Sequence, residues 1–223
     1  NNRAKLCRKA ISLFVEATDA IAEEISWMMG RPISSSPSEI AGLEERATYM
    51  IDCAEHSLKA VKLPEKTGFT RFICSEPLGV VFVIAPWNYP YLTSINVIIP
   101  ALMAGNTVIL KHSAQTPLCA ERYSEMFTKA GFPDGVFQYL HLKHEDTERL
   151  IQSNEINHVA FTGSVAGGRM VETAAAGRFI GVGLELGGKD AAYVRSDTNL
   201  THAIKNIKDA TFFNSGQSCC GIE

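Results

Sequence analysis

Between residues 80 and 187 the sequence alternates short apolar, β-branched runs with stretches of helical spacing. That alternation narrows the possible folds more than any other feature. "VVFVIA", "TVILK", "GVFQYL", "HVAFTG" and "FIGVGLEL" are the candidate strands. Segments 93–104, 117–129, 146–153 and 164–175 carry helical spacing or helix-start residues. Strands that are apolar on both faces and joined by helices require a parallel sheet covered on each side. The chain therefore reads as α/β, a doubly wound parallel sheet whose ligands belong beyond the carboxyl ends of its strands. Asn88, Lys111, Gly163 with Ser164, and Glu185 stand at those ends.

A membrane span is the rival interpretation of 77–110, which contains no Asp, Glu, Lys or Arg. Pro86, Pro90 and Pro100 together with Asn88, Asn96 and Asn106 interrupt it, so no piece reaches the roughly 20 apolar residues a bilayer requires. Buried soluble core is the expectation. Ahead of it, apolar residues from Leu6 to Met28 lie on one face of a helix that Gly30 and Pro32 end, and Ile40 to Val61 repeat the pattern before Pro64. "GFTRFICSEPLGVV" then changes to a period of two, which predicts extended chain with a turn at 76–79. After Gly187-Gly188, a plausible boundary, "DAAYV" reads as a strand and 201–213 as a helix.

Composition bounds the partners. A hydrophobic share of 46% supports a substantial core, and a net charge of -3 with scattered lysines and arginines disfavours nucleic acid. Six irregularly spaced cysteines suit a reducing compartment, His141 and His144 lack neighbouring ligands, and no metal site is expected. "NNRAKLCRKA" has no apolar run suited to a signal peptide, so the expected location is cytoplasmic, with an organelle address removed before residue 1 still open.

Several short motifs carry chemistry and each has a plain alternative. "GLELGGKD" matches a phosphate loop except at its last position, where Asp190 replaces the hydroxyl that magnesium needs and sets a negative charge against phosphate. "FTGSVAGG" misses the dinucleotide glycine fingerprint but keeps its layout of strand, tight turn and helix start, which offers amides to a pyrophosphate or is an ordinary turn. Glu185, among apolar and glycine residues, is either a buried carboxylate with a raised pKa or a surface glutamate on an edge strand. Asn88 either donates to an oxyanion or caps a turn. Cys219 and Cys220 suit neither a disulfide nor zinc; packing remains, or a nucleophile activated by backbone amides or a nearby cation.

"PWNYP", Leu110-Lys111 followed by Thr116-Pro117, "FTGS", "LELGGK" and "FFNSGQSC" occur in one order, and in that order the sequence resembles the aldehyde dehydrogenase superfamily over nearly its whole length. The resemblance implies a Rossmann-like fold and NAD or NADP as cofactor. It makes Cys219 the nucleophile, Asn88 and the Cys219 amide the oxyanion donors, and Glu185 the base that activates water. By the same matching, Ile84, Ala85, Pro86 and Trp87 line the cofactor and Lys111, with Ser113 and Ala114, meets the adenosine ribose. Phe161, Thr162, Gly163, Ser164 and Gly168 meet the pyrophosphate, and Leu186 and Gly187 the nicotinamide. The implied division is a helical part of the cofactor-binding domain at 1–62, an extended oligomerisation segment at 63–79, a dinucleotide-binding domain at 80–187 and the start of a catalytic domain at 188–223. A small-molecule aldehyde or semialdehyde is the implied substrate, and a homodimer or homotetramer the implied assembly.

The sequence departs from the pattern in three places. Ala114 stands where many members have a glutamate that binds ribose hydroxyls and repels a 2′-phosphate, "QYLHLKHE" lacks a glycine common after the third strand, and members are about twice as long. These 223 residues alone are expected to turn over little aldehyde. An acylating, coenzyme A-dependent enzyme and a non-catalytic protein of the same fold are the competing interpretations.

Overall fold

The computed structural model describes residues 2–222. Three helices come first: α1 (Asn2–Glu16), α2 (Thr18–Met29) and α3 (Pro37–Ser57). The single helix expected over 6–28 is broken at Ala17, whose φ of -94° and ψ of 10° leave the helical range. The Thr18 hydroxyl donates to the Val15 carbonyl at 2.7 Å, and such side-chain competition for a carbonyl loosens a helix. The apolar stripe continues across the kink, so periodicity alone does not reveal it.

A hairpin of β1 (Val61–Lys62) and β2 (Phe72–Ile73) follows, antiparallel, with Val61 opposite Ile73. The extended chain expected after 68 is therefore paired differently from a turn at 76–79: residue 72 pairs backward to 62, and the chain turns at Gly68, where φ is +82°. Val61, Phe72 and Ile73 are exposed.

The main sheet contains β3 (Val80–Ile84), β4 (Thr107–Lys111), β5 (Phe137–Tyr139), β6 (His158–Gly163) and β7 (Gly181–Leu186). All pair in parallel, in the order β5-β4-β3-β6-β7. Helices α4 (Pro90–Ala104), α5 (Leu118–Ala130), α6 (His144–Gln152) and α7 (Val165–Ala175) connect them. The chain winds outward from β3 to β5, then crosses back to β6, so the order reverses between β3 and β6. A ligand crevice belongs at that reversal.

Alternation along β3 builds both layers. Val81, Val83 and Ala85 pack into one core with α1, α3, α4 and α5, whereas Phe82 and Ile84 enter a second core under α6 and α7. Tyr91, Tyr123 and Phe14 fill the centre of the first, with ring centroids 5.0–5.8 Å apart. Covering is uneven: β7 is an edge strand with Gly181, Gly183 and Glu185 exposed. Beyond it, α8 (Leu200–Phe212) and a short 3₁₀ turn (Phe213–Gly216) complete the described chain. The strand expected at "DAAYV" does not form. Asp190 makes one parallel bridge to Ile222, and 191–194 have no neighbouring strand among the described residues to satisfy their amides. No helix among the described residues is long and apolar enough to cross a membrane.

Candidate active site

The turn that carries Cys219 is conformationally costly. Asn214, Ser215 and Gly216 take φ values of 53°, 59° and 73°, a left-handed run that ordinary side chains resist and asparagine tolerates better than most. A buried network holds it. The Arg31 guanidinium donates from Nε to Asn214 Oδ1 at 2.6 Å, from Nη1 to Glu39 Oε2 at 2.6 Å and from Nη2 to the Asn88 carbonyl at 3.1 Å. Asn214 Nδ2 donates to that same carbonyl at 2.9 Å. Glu39 Oε1 accepts the amides of Tyr91 and Leu92, both at 2.9 Å, in the first turn of α4. Arg31 and Glu39 are 3% and 1% exposed, so neither charge is met by bulk water.

Asn88 is thereby fixed by its backbone, and its side-chain amide donates to the Gln217 carbonyl at 2.9 Å, two residues before Cys219. Gly188, just past β7, touches the turn from the other side. A Cβ built there would lie 1.5 Å from the Cys219 carbonyl oxygen. Gly188→Ala is expected to destabilise the protein by about 1–3 kcal/mol through backbone displacement, measured as a shift in urea midpoint. An unchanged midpoint would refute this contact.

Cys219 is exposed and borders a cavity of about 610 Å³ that Tyr89, Leu92 and Phe213 line from α4 and the turn. Burial and then the adjoining Cys220 thiol push the Cys219 thiol up from its ordinary range, while the backbone amides of Cys219 and Cys220 pull it back by less. Of the two activating features named from the sequence, the backbone amides are present and act against the upward push without offsetting it.

Of the two readings left open for Glu185, the structure takes the second: it is exposed on edge strand β7 and not buried. It lines a neighbouring cavity of about 420 Å³ with Thr162, and that cavity shares Asn96 with the one at Cys219. The structure thus joins Asn88 to the Cys219 turn by a hydrogen bond and sets Glu185 one cavity away.

A third cavity, about 310 Å³, lies beyond the carboxyl ends of β3, β4 and β6 and is bounded by α6 and α7. Ile84, Lys111, Phe161 and Ser164 line it. Lys111 is 9% exposed; its carbonyl accepts the Ala85 amide at 3.0 Å, its Nζ makes no hydrogen bond or ion pair among the described residues, and burial lowers its pKa. An ammonium facing a cavity from a largely buried stem suits a polyhydroxylated or anionic ligand. Ser164 caps α7, its Oγ accepting the Gly167 amide at 3.1 Å, and the first-turn amides of Val165 and Ala166 have no intrahelical acceptor. These features fit the adenosine and pyrophosphate of a dinucleotide. Gly163 and Gly167 allow close passage, since a Cβ on either would meet the Phe161 ring at 2.7 and 2.6 Å.

Other expected cofactor residues do not line that cavity. Ala85 and Trp87 pack into or against the first core, and Leu186 rests on Gly168. Ser113 accepts the Gln115 amide at 3.2 Å in a local turn, with Ala114 exposed beside it. Pro86 is half-buried next to Asn88, and Gly187 is exposed. No helix follows Gly188 until α8, so "GLELGGKD" lacks the helix start of a phosphate loop.

Arg31, Glu39 and His112 escaped the sequence reading, and Asn214 went unremarked inside a quoted motif. His112 is buried, donating from Nε2 to the Pro90 carbonyl at 2.9 Å while Nδ1 accepts from the Ser113 amide and Thr116 hydroxyl. Burial lowers its pKa to about 4, so it is neutral and ties the Lys111 loop to α4. The only sequence signal for Arg31 and Glu39 was a pair of opposite charges flanking the break between two apolar stripes.

The Aldehyde dehydrogenase family profile matches residues 1–223. An aldehyde dehydrogenase of Paenarthrobacter nicotinovorans is 34% identical over 97% of this chain and 48% of its own length. A probable NADP(+) succinate-semialdehyde dehydrogenase of Synechocystis sp. is 35% identical, again over 97% and 48%. Among solved structures, Gox0499, studied for cofactor and substrate selection, superposes with a TM-score of 0.94 at 33% identity, covering 100% of this chain and 48% of that one. Succinic semialdehyde dehydrogenase of Streptococcus pyogenes, in complex with NADP+, gives 0.92 at 25% identity over 99% and 48%. The chain spans about half the length of the curated relatives it matches. It belongs to the aldehyde dehydrogenase family.

Proposed function

We propose that the full-length protein carrying these residues oxidises an aldehyde or semialdehyde to the carboxylic acid with NADP or NAD. The observation that carries this reading is the Asn88 amide hydrogen-bonded to the turn of an exposed cysteine that borders a cavity. Cys219 Sγ gives its proton to solvent water, and the thiolate attacks the carbonyl carbon, forming the C–S bond, breaking the C=O π bond and placing the charge on oxygen. The Cys219 N–H and the Asn88 amide, released from the Gln217 carbonyl, donate to that oxygen. A bound nicotinamide supplies the acceptor for the hydride that leaves the same carbon, and the product on Cys219 is a thioester. Glu185 then takes a proton from water as the water oxygen attacks the thioester, and the C–S bond breaks to release the acid and the thiol. Glu185 lies three positions before Gly188, which abuts Cys219, so their Cα atoms are at most about 10 Å apart.

Support for NADP comes from the Lys111 ammonium, which has no ion pair among the described residues, and from exposed Ala114 three positions later, where the resemblance leads one to expect a carboxylate. Relatives named for NADP point the same way. Ala114→Glu is expected to lower kcat/KM for NADP by about tenfold or more through like-charge repulsion while leaving NAD within about threefold. Assay of the full-length variant at 340 nm with each cofactor tests this; equal loss with both would count against it. The exposed apolar residues of the β1–β2 hairpin support a role in self-association, and the location proposed is cytoplasmic.

A further inference from the structure

We infer that Arg31, acting through Asn214, is the positioning residue that registers the Asn88 amide and the Cys219 turn against each other. The inference rests on the proposed aldehyde oxidation and extends it to residues that touch neither substrate nor cofactor. One guanidinium fork reaches the Asn214 carboxamide, the Asn88 carbonyl and Glu39 at once. The Asn88 carbonyl also receives Asn214 Nδ2, so Arg31, Asn214 and Asn88 form a closed ring of hydrogen bonds between the end of α2, the β3–α4 loop and the nucleophile turn. Gln217 adds a longer contact, Nε2 to the Met29 carbonyl at 3.4 Å, which ties the turn to the same helix end.

Each partner has a geometric reason. Only a planar fork of donors serves three acceptors in three directions; a lysine ammonium retains the charge opposite Glu39 but cannot keep all three. Asparagine at 214 combines tolerance of a left-handed φ with one acceptor for Arg31 and one donor for Asn88. Because Asn88 and Cys219 must grip the same oxygen, a displacement of about 1 Å between them slows the reaction by up to roughly a hundredfold without weakening cofactor binding.

The test uses the full-length protein in a Cys220→Ser background with Arg31→Lys, Asn214→Gly and the double variant. Arg31→Lys keeps Glu39 paired, and Asn214→Gly keeps the backbone conformation while deleting the carboxamide. Three readouts are needed: kcat and KM for aldehyde and NADP, the rate of Cys219 alkylation by iodoacetamide relative to exposed Cys74, and the thermal midpoint. We expect each single variant to lose about 10- to 100-fold in kcat, hold the NADP KM within about twofold and change the Cys219 alkylation rate by about threefold or more. The double variant should be little worse than either single, because the two residues act as one unit. Folded single variants with kcat and Cys219 alkylation within about twofold of the parent would overturn the inference. Should Arg31→Lys fail to fold, Asn214→Gly alone decides it. If the parent oxidises no aldehyde, the proposed function fails, and the alkylation rates still decide whether Arg31 positions Cys219.

Discussion

Cys219→Ser in the full-length protein is expected to cut aldehyde-dependent NADP reduction by about a thousandfold or more, while Cys220→Ser stays within about threefold. The asymmetry follows from the turn. Gln217 two residues earlier is gripped by Asn88, and the Cys219 carbonyl is pressed against Gly188, so residue 219 is registered from both sides. Cys220 Sγ lies 3.5 Å from the Ser218 hydroxyl, a local contact at the edge of the same cavity. A serine hydroxyl ionises far less readily than a thiol, so the exchange removes the nucleophile and keeps the shape. Binding of NADP to Cys219→Ser, followed by fluorescence, should persist. Comparable losses from both variants would mean that Cys220 shares the chemistry.

Arg31→Met is expected to destabilise the protein by about 3 kcal/mol, because it strips the cation paired with Glu39 among the described residues and leaves a carboxylate in the core. For a chain of this size that corresponds to a fall of roughly 6–12 °C in thermal midpoint. Glu39 would keep the two α4 amides, which soften the loss. The double replacement Arg31→Met with Glu39→Gln should therefore recover part of the midpoint, since glutamine still accepts those amides and carries no charge to desolvate. A single variant within about 1 °C of wild type would show that the pair is not needed for stability.

Both large effects trace to residues of unequal legibility. The sheet was readable because β-branched runs such as "VVFVIA" are buried on both faces and leave little alternative to a central parallel strand. Cys219 and Asn88 were picked out by an ordered series of motifs, and the structure adds a hydrogen bond between their loops. Glu185 was left between two readings, because a carboxylate flanked by apolar residues is buried only if both faces of its strand are covered; β7 is the edge of the described sheet, and the exposed reading holds. "DAAYV" failed for a related reason, since extended chain becomes a strand only beside a partner. Arg31 was invisible because its meaning lies in contacts reaching 57 and 183 residues away, which no local period encodes.

The most direct test of the account is to find the covalent product on its sulfur. Full-length Glu185→Gln, mixed with an aldehyde and NADP and quenched in acid within one turnover, is digested and the peptide spanning 219 and 220 sequenced by mass spectrometry. The account predicts an added mass equal to the aldehyde less two hydrogens on Cys219, appearing with NADP and absent without it. The same mass on Cys220, or an unmodified Cys219 in an enzyme that still reduces NADP in a burst, would contradict it.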